Sequence, residues 1–335
     1  MVTALGCGQS ADSNSNREIG EALPCVTHAA QGRQVVSFAD GLKTIVVATG
    51  LDGRPEAALE YARKLASAYG ARIVLAHGVD PVEYAAVDTV PIRLVRDLTQ
   101  SARTALAEMA AELDREGIRS HTEVRQGAVA QMLLDIGRQY GAGLIVVGTR
   151  GNRGAGPLAV GAVAEQLVRE AACPVLAVAE DWNAGEFRPV PGGAVLLALE
   201  RNESAPAAVA TACSLAKAFQ RTLLVLHARP PAEASAFLNP PATSLADFGI
   251  TPDGQFPVRC IVKDGAPADA IAAAIAQYHP SLLVIGVKRA SETPGPHGTA
   301  YALLSRSRVP VLCVPPEPAP DLRAQPEAET LQAAK

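Results

Sequence analysis

Short apolar runs alternate with longer amphipathic stretches along most of this 335-residue chain. Thr44–Thr49, Arg72–His77, Leu144–Val147 and Val175–Val178 are brief and rich in β-branched residues, which predicts strands covered on both faces. A weaker run, His121–Val124, predicts a further strand ending near Gly127. Between these runs the apolar residues recur at helical spacing: Leu59, Ala62, Leu65, Ala66 and Tyr69; Leu94, Leu98, Leu106, Met109 and Leu113; Val129, Met132, Leu133, Ile136 and Tyr140; then Val163, Leu167 and Ala171. Gly70 stops the first of these helices and Pro174 the last. Strand and helix that alternate in this way predict an α/β fold with a doubly wound parallel sheet. Ligands in such sheets bind beyond the carboxyl ends of the strands.

The pattern then repeats. Val195–Leu199, Leu223–His227, Cys260–Gly265, Leu282–Gly286 and Val309–Leu312 follow in the order of their counterparts, with Gly286 lying 138 positions after Gly148. Five matched landmarks in one order argue for tandem duplication, and hence for two domains. The expected partition is a disordered or loosely ordered tail over 1–42, a first domain over 43–181, a linker over 182–193 with Pro189 and Pro191, a second domain over 194–317, and a disordered Pro-, Ala- and Glu-rich tail over 318–335. In the first tail, Val35, Val36 and Phe38 either add a short strand or pack near the entrance to the first domain. The copies are unequal: between Arg229 and Pro257 the second has a proline-broken stretch where the first has a long helix. If the halves pack as an internal pseudo-dimer, the apolar edges of Val175–Val178 and Val311–Val314 cover each other.

Composition narrows the function classes. Hydrophobic residues make up 48% of the chain but aromatics only 4%, so Ala, Val and Leu must fill the cores. A net charge of −4 gives no reason to expect nucleic acid, and no apolar run approaches the ~20 residues that span a membrane. The six cysteines show no C-x-x-C pair and no metal-ligand spacing, and read mostly as small buried hydrophobes. Ala4–Cys7 resembles a lipoprotein cleavage site, but the apolar stretch before it is too short for a signal sequence. The expectation is a reduced, cytoplasmic protein.

Candidate chemistry lies in the loop after Val147. Gly148, Gly151, Gly154, Gly156 and Gly161 are scattered around Arg150 and Arg153, ahead of the helix that starts at Ala162. Such a loop brings unhindered backbone N–H groups and a positive helix N-terminus to one point, where a phosphate can sit. It has no G-K-[ST] and not the G-x-G-x-x-G spacing; what it has is Gly148-x-x-Gly151, nine residues, then Gly161. The second copy reads Gly286-Val287-Lys288-Arg289, with Arg in place of the middle glycine, prolines at 294 and 296, and a Gly298-Thr299 pair.

Over about Lys43 to Val314 these motifs resemble tandem members of the universal stress protein family. The resemblance implies an adenine-nucleotide α-hydrolase-like fold of two doubly wound five-stranded parallel-sheet domains, dimerisation through the last strand, and, in some members, ATP bound with its Mg2+. Carried onto this chain, it implies a nucleotide site in the first domain at Asp52, Gly148, Thr149, Arg150, Gly151, Arg153, Gly161, Ala162 and Val163. Weaker second-copy candidates are Glu200, Gly286, Gly298 and Thr299. Two positions depart from the pattern: Gly50 stands where an acid ends the first strand, with Asp52 two residues on, and Ala162 stands where a hydroxyl follows the last glycine.

Each candidate also has a structural reading. Asp52 is a turn or helix cap, Arg150 and Arg153 are solvated, His77 and His227 are structural histidines at equivalent strand ends, and Lys288 and Arg289 pair with Glu292 at the surface. Three functions stay open. One is a stress-response nucleotide sensor whose ligand alters its homodimerisation or its protein partner; another is a nucleotide-free interaction module. The third is a slow ATPase or related hydrolase, although no S-G-G-x-D-S-like loop follows the first strand.

Overall fold

The computed structural model describes residues 23–24, 38–51, 57–80, 92–149, 161–179, 193–200, 205–229, 256–288 and 299–316. The first half runs β2 (Thr44–Ala48), α2 (Ala57–Tyr69), β3 (Arg72–Val79), α3 (Ile92–Arg115), β4 (Ser120–Gln126), α4 (Val129–Tyr140), β5 (Leu144–Gly148), α5 (Ala162–Glu170) and β6 (Val175–Val178). The second runs β7 (Val195–Ala198), α6 (Ala205–Ala218), β8 (Leu223–Arg229), β9 (Pro257–Asp264), α7 (Pro267–Tyr278), β10 (Leu282–Gly286), α8 (Thr299–Arg306) and β11 (Val311–Val314). Two short elements precede them, β1 (Leu23–Pro24) and α1 (Phe38–Gly41).

Each half is a five-stranded parallel sheet, in the orders β6-β5-β2-β3-β4 and β9-β8-β7-β10-β11. They are not two separate sheets. β11 pairs antiparallel with β6, setting Leu312 opposite Leu176 and Cys313 opposite Val175, and one eleven-stranded sheet results. Antiparallel pairing of the two last strands gives the junction an approximate two-fold axis and removes two apolar edges at once. β1 adds to β9 at one end of the sheet, and β4 is the other end.

The period-two rule sorts the core into two layers. Ile45 and Val47 of β2 face the layer built with α1, α2, α3 and α6, while Val46 faces α4, α5, α7 and α8. Burial along β2, β5 and β10 is nearly continuous, as strands covered by helices on both faces require. Cys213 and Cys313 are buried and Cys173 and Cys260 half-buried. Burial pushes the Cys173 and Cys313 thiols up to about 12 and Cys260 up to about 11, so all three are inert small hydrophobes at neutral pH.

One boundary differs from the sequence reading. The stretch expected to be tail contributes α1, and Phe38 and Leu42 are buried in the core layer of α2 and α6. The Phe38 ring meets Tyr69 edge-on at 5.9 Å, and Tyr69 meets Phe219 of the second half at 6.5 Å. The Tyr69 hydroxyl donates to the Ser214 carbonyl at 3.3 Å. These rings join the halves on one face of the sheet.

Candidate functional site

β2 and β5 are neighbours, yet the helices that follow them lie on opposite faces of the sheet: α2 belongs to one core layer and α5 to the other. The chain therefore diverges at their carboxyl ends and leaves a crevice, the usual ligand position in a doubly wound sheet. One wall is the exit of β2. There the Thr49 N–H and hydroxyl both donate to the Ala76 carbonyl, at 2.9 and 3.2 Å. His77 Nδ1 lies 2.8 Å from the Thr49 carbonyl oxygen. Gly50 is exposed, and Leu51 adopts φ +54° while packing against the α2-side core. A non-glycine residue in that region costs roughly 1 kcal/mol.

The other wall is the glycine loop. The Thr149 N–H donates to Val178 O at 2.9 Å, and the Gly161 N–H donates to Thr149 O at 2.8 Å. The chain thus leaves the sheet at Thr149 and returns to the same point at Gly161, which brackets residues 150–160 at a closed neck. Gly161 is the N-cap of α5 and offers no side-chain cap. The Glu165 N–H donates to Gly161 O at 3.1 Å and opens the helical ladder. The N–H groups of Ala162, Val163 and Ala164, in the first turn, have no carbonyl within the helix to take them. With the helix dipole they make a surface fit for negative charge.

The structure therefore brings together Gly148, Thr149, Gly161, Ala162 and Val163 beside the exit of β2. Asp52, Arg150, Gly151 and Arg153, and Gly298 in the second half, lie outside the described residues. Sequence reasoning passed over Thr49 and Leu51: neither is a motif residue, and a positive φ at leucine leaves no mark in composition. The structural reading of His77 acquires a partner, the Thr49 carbonyl. Among the described residues no group of three His, Cys, Asp or Glu side chains converges to hold a metal.

The second crevice lies between β7 and β10, with the same backbone frame. Leu199 N–H donates to Leu226 O and Val287 N–H to Val314 O, each at 2.9 Å, matching Thr49 and Thr149. Gly286 ends β10 and Thr299 opens α8. Glu200 stands at the exit of β7, where Lys288 Nζ donates to its Oε1 at 3.1 Å. Lys288 and Glu200 thus form an ion pair across the crevice mouth, because strand pairing brings residues 88 apart within reach. Arg289 and Glu292 lie outside the described residues.

The statistical model of the universal stress protein family matches residues 41–179 and again 193–315. A universal stress protein from Methanocaldococcus jannaschii is 31% identical over 142 residues, which is 41% of this chain and 81% of that protein. Another from Thermus aquaticus is 33% identical over 138 residues, 41% of this chain and 98% of that protein. Among solved structures, a universal stress protein from Archaeoglobus fulgidus superposes with TM-score 0.63 at 18% identity, covering 82% of this chain and 98% of that one. A functionally unknown protein from Pseudomonas aeruginosa gives 0.62 at 20%, covering 83% and 94%. These two likenesses speak to the fold alone.

Proposed function

Because the chain belongs to the universal stress protein family and carries its domain twice, we propose that it binds one ATP, with its Mg2+, in the β2/β5 crevice. Occupancy then alters the protein's assembly, or its protein partner, in a cytoplasmic stress response. In this reading 43–181 holds the nucleotide and 194–317 is its built-in dimer partner.

The observation that carries the reading is the closed neck. The Gly161–Thr149 bond puts the uncapped first turn of α5 beside the exit of β2. Phosphates would meet backbone donors of the glycine loop and of α5, and the nucleoside would lie toward Leu51 and Asp52. Backbone donors make the missing hydroxyl at Ala162 a partial loss rather than a fatal one.

The test is mass spectrometry of ligand released from freshly purified protein, followed by calorimetric titration of ATP into the unmodified chain and Gly151→Val. A β-branched residue at 151 puts methyl groups where phosphate sits and resists φ > 0. Binding by the unmodified chain and its loss in Gly151→Val, with the unfolding midpoint moved by only ~1 kcal/mol equivalent, is the expected result. Unchanged affinity in that variant sinks the loop assignment. The nucleotide-free interaction module is the second reading, favoured by Gly50 and Ala162. It predicts no bound nucleotide and no titration heat. ADP release over hours separates a slow ATPase from a sensor.

A further inference from the structure

The bond between His77 and Thr49 has one possible sense. A carbonyl oxygen only accepts, so the ring nitrogen 2.8 Å from Thr49 O must carry the proton, and neutral His77 is the Nδ1–H tautomer. The same residue, Thr49, is tied to the next strand by its own N–H and hydroxyl, both directed to Ala76 O. Three bonds, two donated to Ala76 and one accepted from His77, therefore tie Thr49, the first residue after β2, to β3. Two residues later Leu51 sits at φ +54°, a conformation that leucine leaves when nothing around it prevents the change.

We propose that His77 is a positioning residue for the nucleoside side of the crevice. Its Nδ1–H holds the Thr49 carbonyl, which fixes the direction in which Gly50 and Leu51 leave the sheet and so the shape of this wall of the crevice. His77 touches no ligand in this role. Without the bond the Thr49 carbonyl loses its anchor to β3, and the β2 wall of the crevice shifts while strand pairing persists. The proposal rests on the nucleotide reading for its consequence, but the lock itself is a property of the free protein.

Two substitutions in the full chain separate this role from packing. The side-chain amide nitrogen of His77→Asn is as many bonds from Cα as Nδ1, whereas that of His77→Gln is placed like Nε2. In the unliganded protein, 15N imidazole shifts should put the proton on Nδ1. Amide exchange at Gly50 and Leu51 should rise about tenfold in H77Q and stay near the unmodified rate in H77N. Calorimetry with ATP as the probe should show H77N within about twofold of the unmodified chain and H77Q weaker by about tenfold or more. A proton on Nε2, or equal exchange and equal affinity in the two variants, overturns the proposal. An unmodified chain that binds no ATP overturns the nucleotide reading instead, and the tautomer and exchange results, obtained without ligand, still decide whether the lock exists.

Discussion

The two halves share a frame and differ in what they mount on it. Backbone bonds at the strand exits recur pair for pair, from Thr49 and Leu199 to Thr149 and Val287. Even an outer contact repeats: Arg125 donates to Gln139 in the first half and Lys263 to Gln277 in the second, at 2.5 and 2.9 Å. The differences fall in individual side chains. Glu123, bonded to Arg125 and Tyr140, occupies the position that Ile261 fills in the second copy. Gly143 matches Ser281, and the exposed Gly50 matches the ion-paired Glu200. Strand register is enforced by every residue along it, so it survives duplication; a crevice mouth depends on two or three side chains and drifts.

The largest effect should come from parting the copies. A fragment of residues 38–181, which retains α1, exposes the apolar edge of β6 and should self-associate or precipitate; a well-behaved monomer by light scattering would contradict the role of the junction. Next comes Gly143→Ala. A Cβ there would lie 2.3 Å from Gly41 O and 3.1 Å from Leu42 Cα, both backbone atoms, so we expect a loss of about 2 kcal/mol in denaturant unfolding. At the matching position Ser281 already carries a side chain, which donates to Ala194 O at 3.2 Å. Ser281→Ala should cost no more than about 1 kcal/mol, and equal losses at the two sites would show that α1 imposes no special constraint on the first half.

A smaller effect concerns acid. Burial raises the Glu123 carboxyl, but hydrogen bonds from Arg125 and Tyr140 outweigh this and leave it below its ordinary 4.5. A carboxylate lowered on folding contributes stability above its unfolded value and loses it as pH falls through the folded one. Glu123→Gln should therefore cost under about 1 kcal/mol at pH 7 and make stability less steeply dependent on pH below 4.5, read as melting temperature against pH. The smallest effect is at the second crevice. Lys288 and Glu200 are about two-thirds exposed, so Lys288→Met should change stability by less than about 0.5 kcal/mol and leave ATP stoichiometry at one per chain. A second equivalent of bound ATP in that variant would mean that the ion pair had been closing a working site.

The alternation of strands and helices was legible because apolar runs such as Leu144–Val147 and Val175–Val178 are dictated by burial on both faces. The duplication was legible for the same reason. The packing of Phe38 was legible only as one of two alternatives, and α1 and Leu42 were not: a four-residue helix is too short to show a period, and its surroundings are rich in polar residues and glycine. The crevice was half legible. Glycines marked the two ends of the connection, with β5 stopping at Gly148 and α5 starting after Gly161. The Lys288–Glu200 pair and the Thr49 lock depend on which strands become neighbours, and no local window of sequence contains that information.

The antiparallel seam between β6 and β11 carries an evolutionary freedom. Two identical chains meeting on a two-fold axis must present the same residue from both sides, and any change appears twice. Joined in one polypeptide, the partners are present in equal number at any dilution, and each side of the axis can mutate alone. Tyr69 and Phe219 occupy corresponding helix ends beside that axis, 6.5 Å apart, and only one carries a hydroxyl. The bond from Tyr69 to Ser214 is thus a one-sided contact that a pair of identical subunits could not make without making its mirror as well.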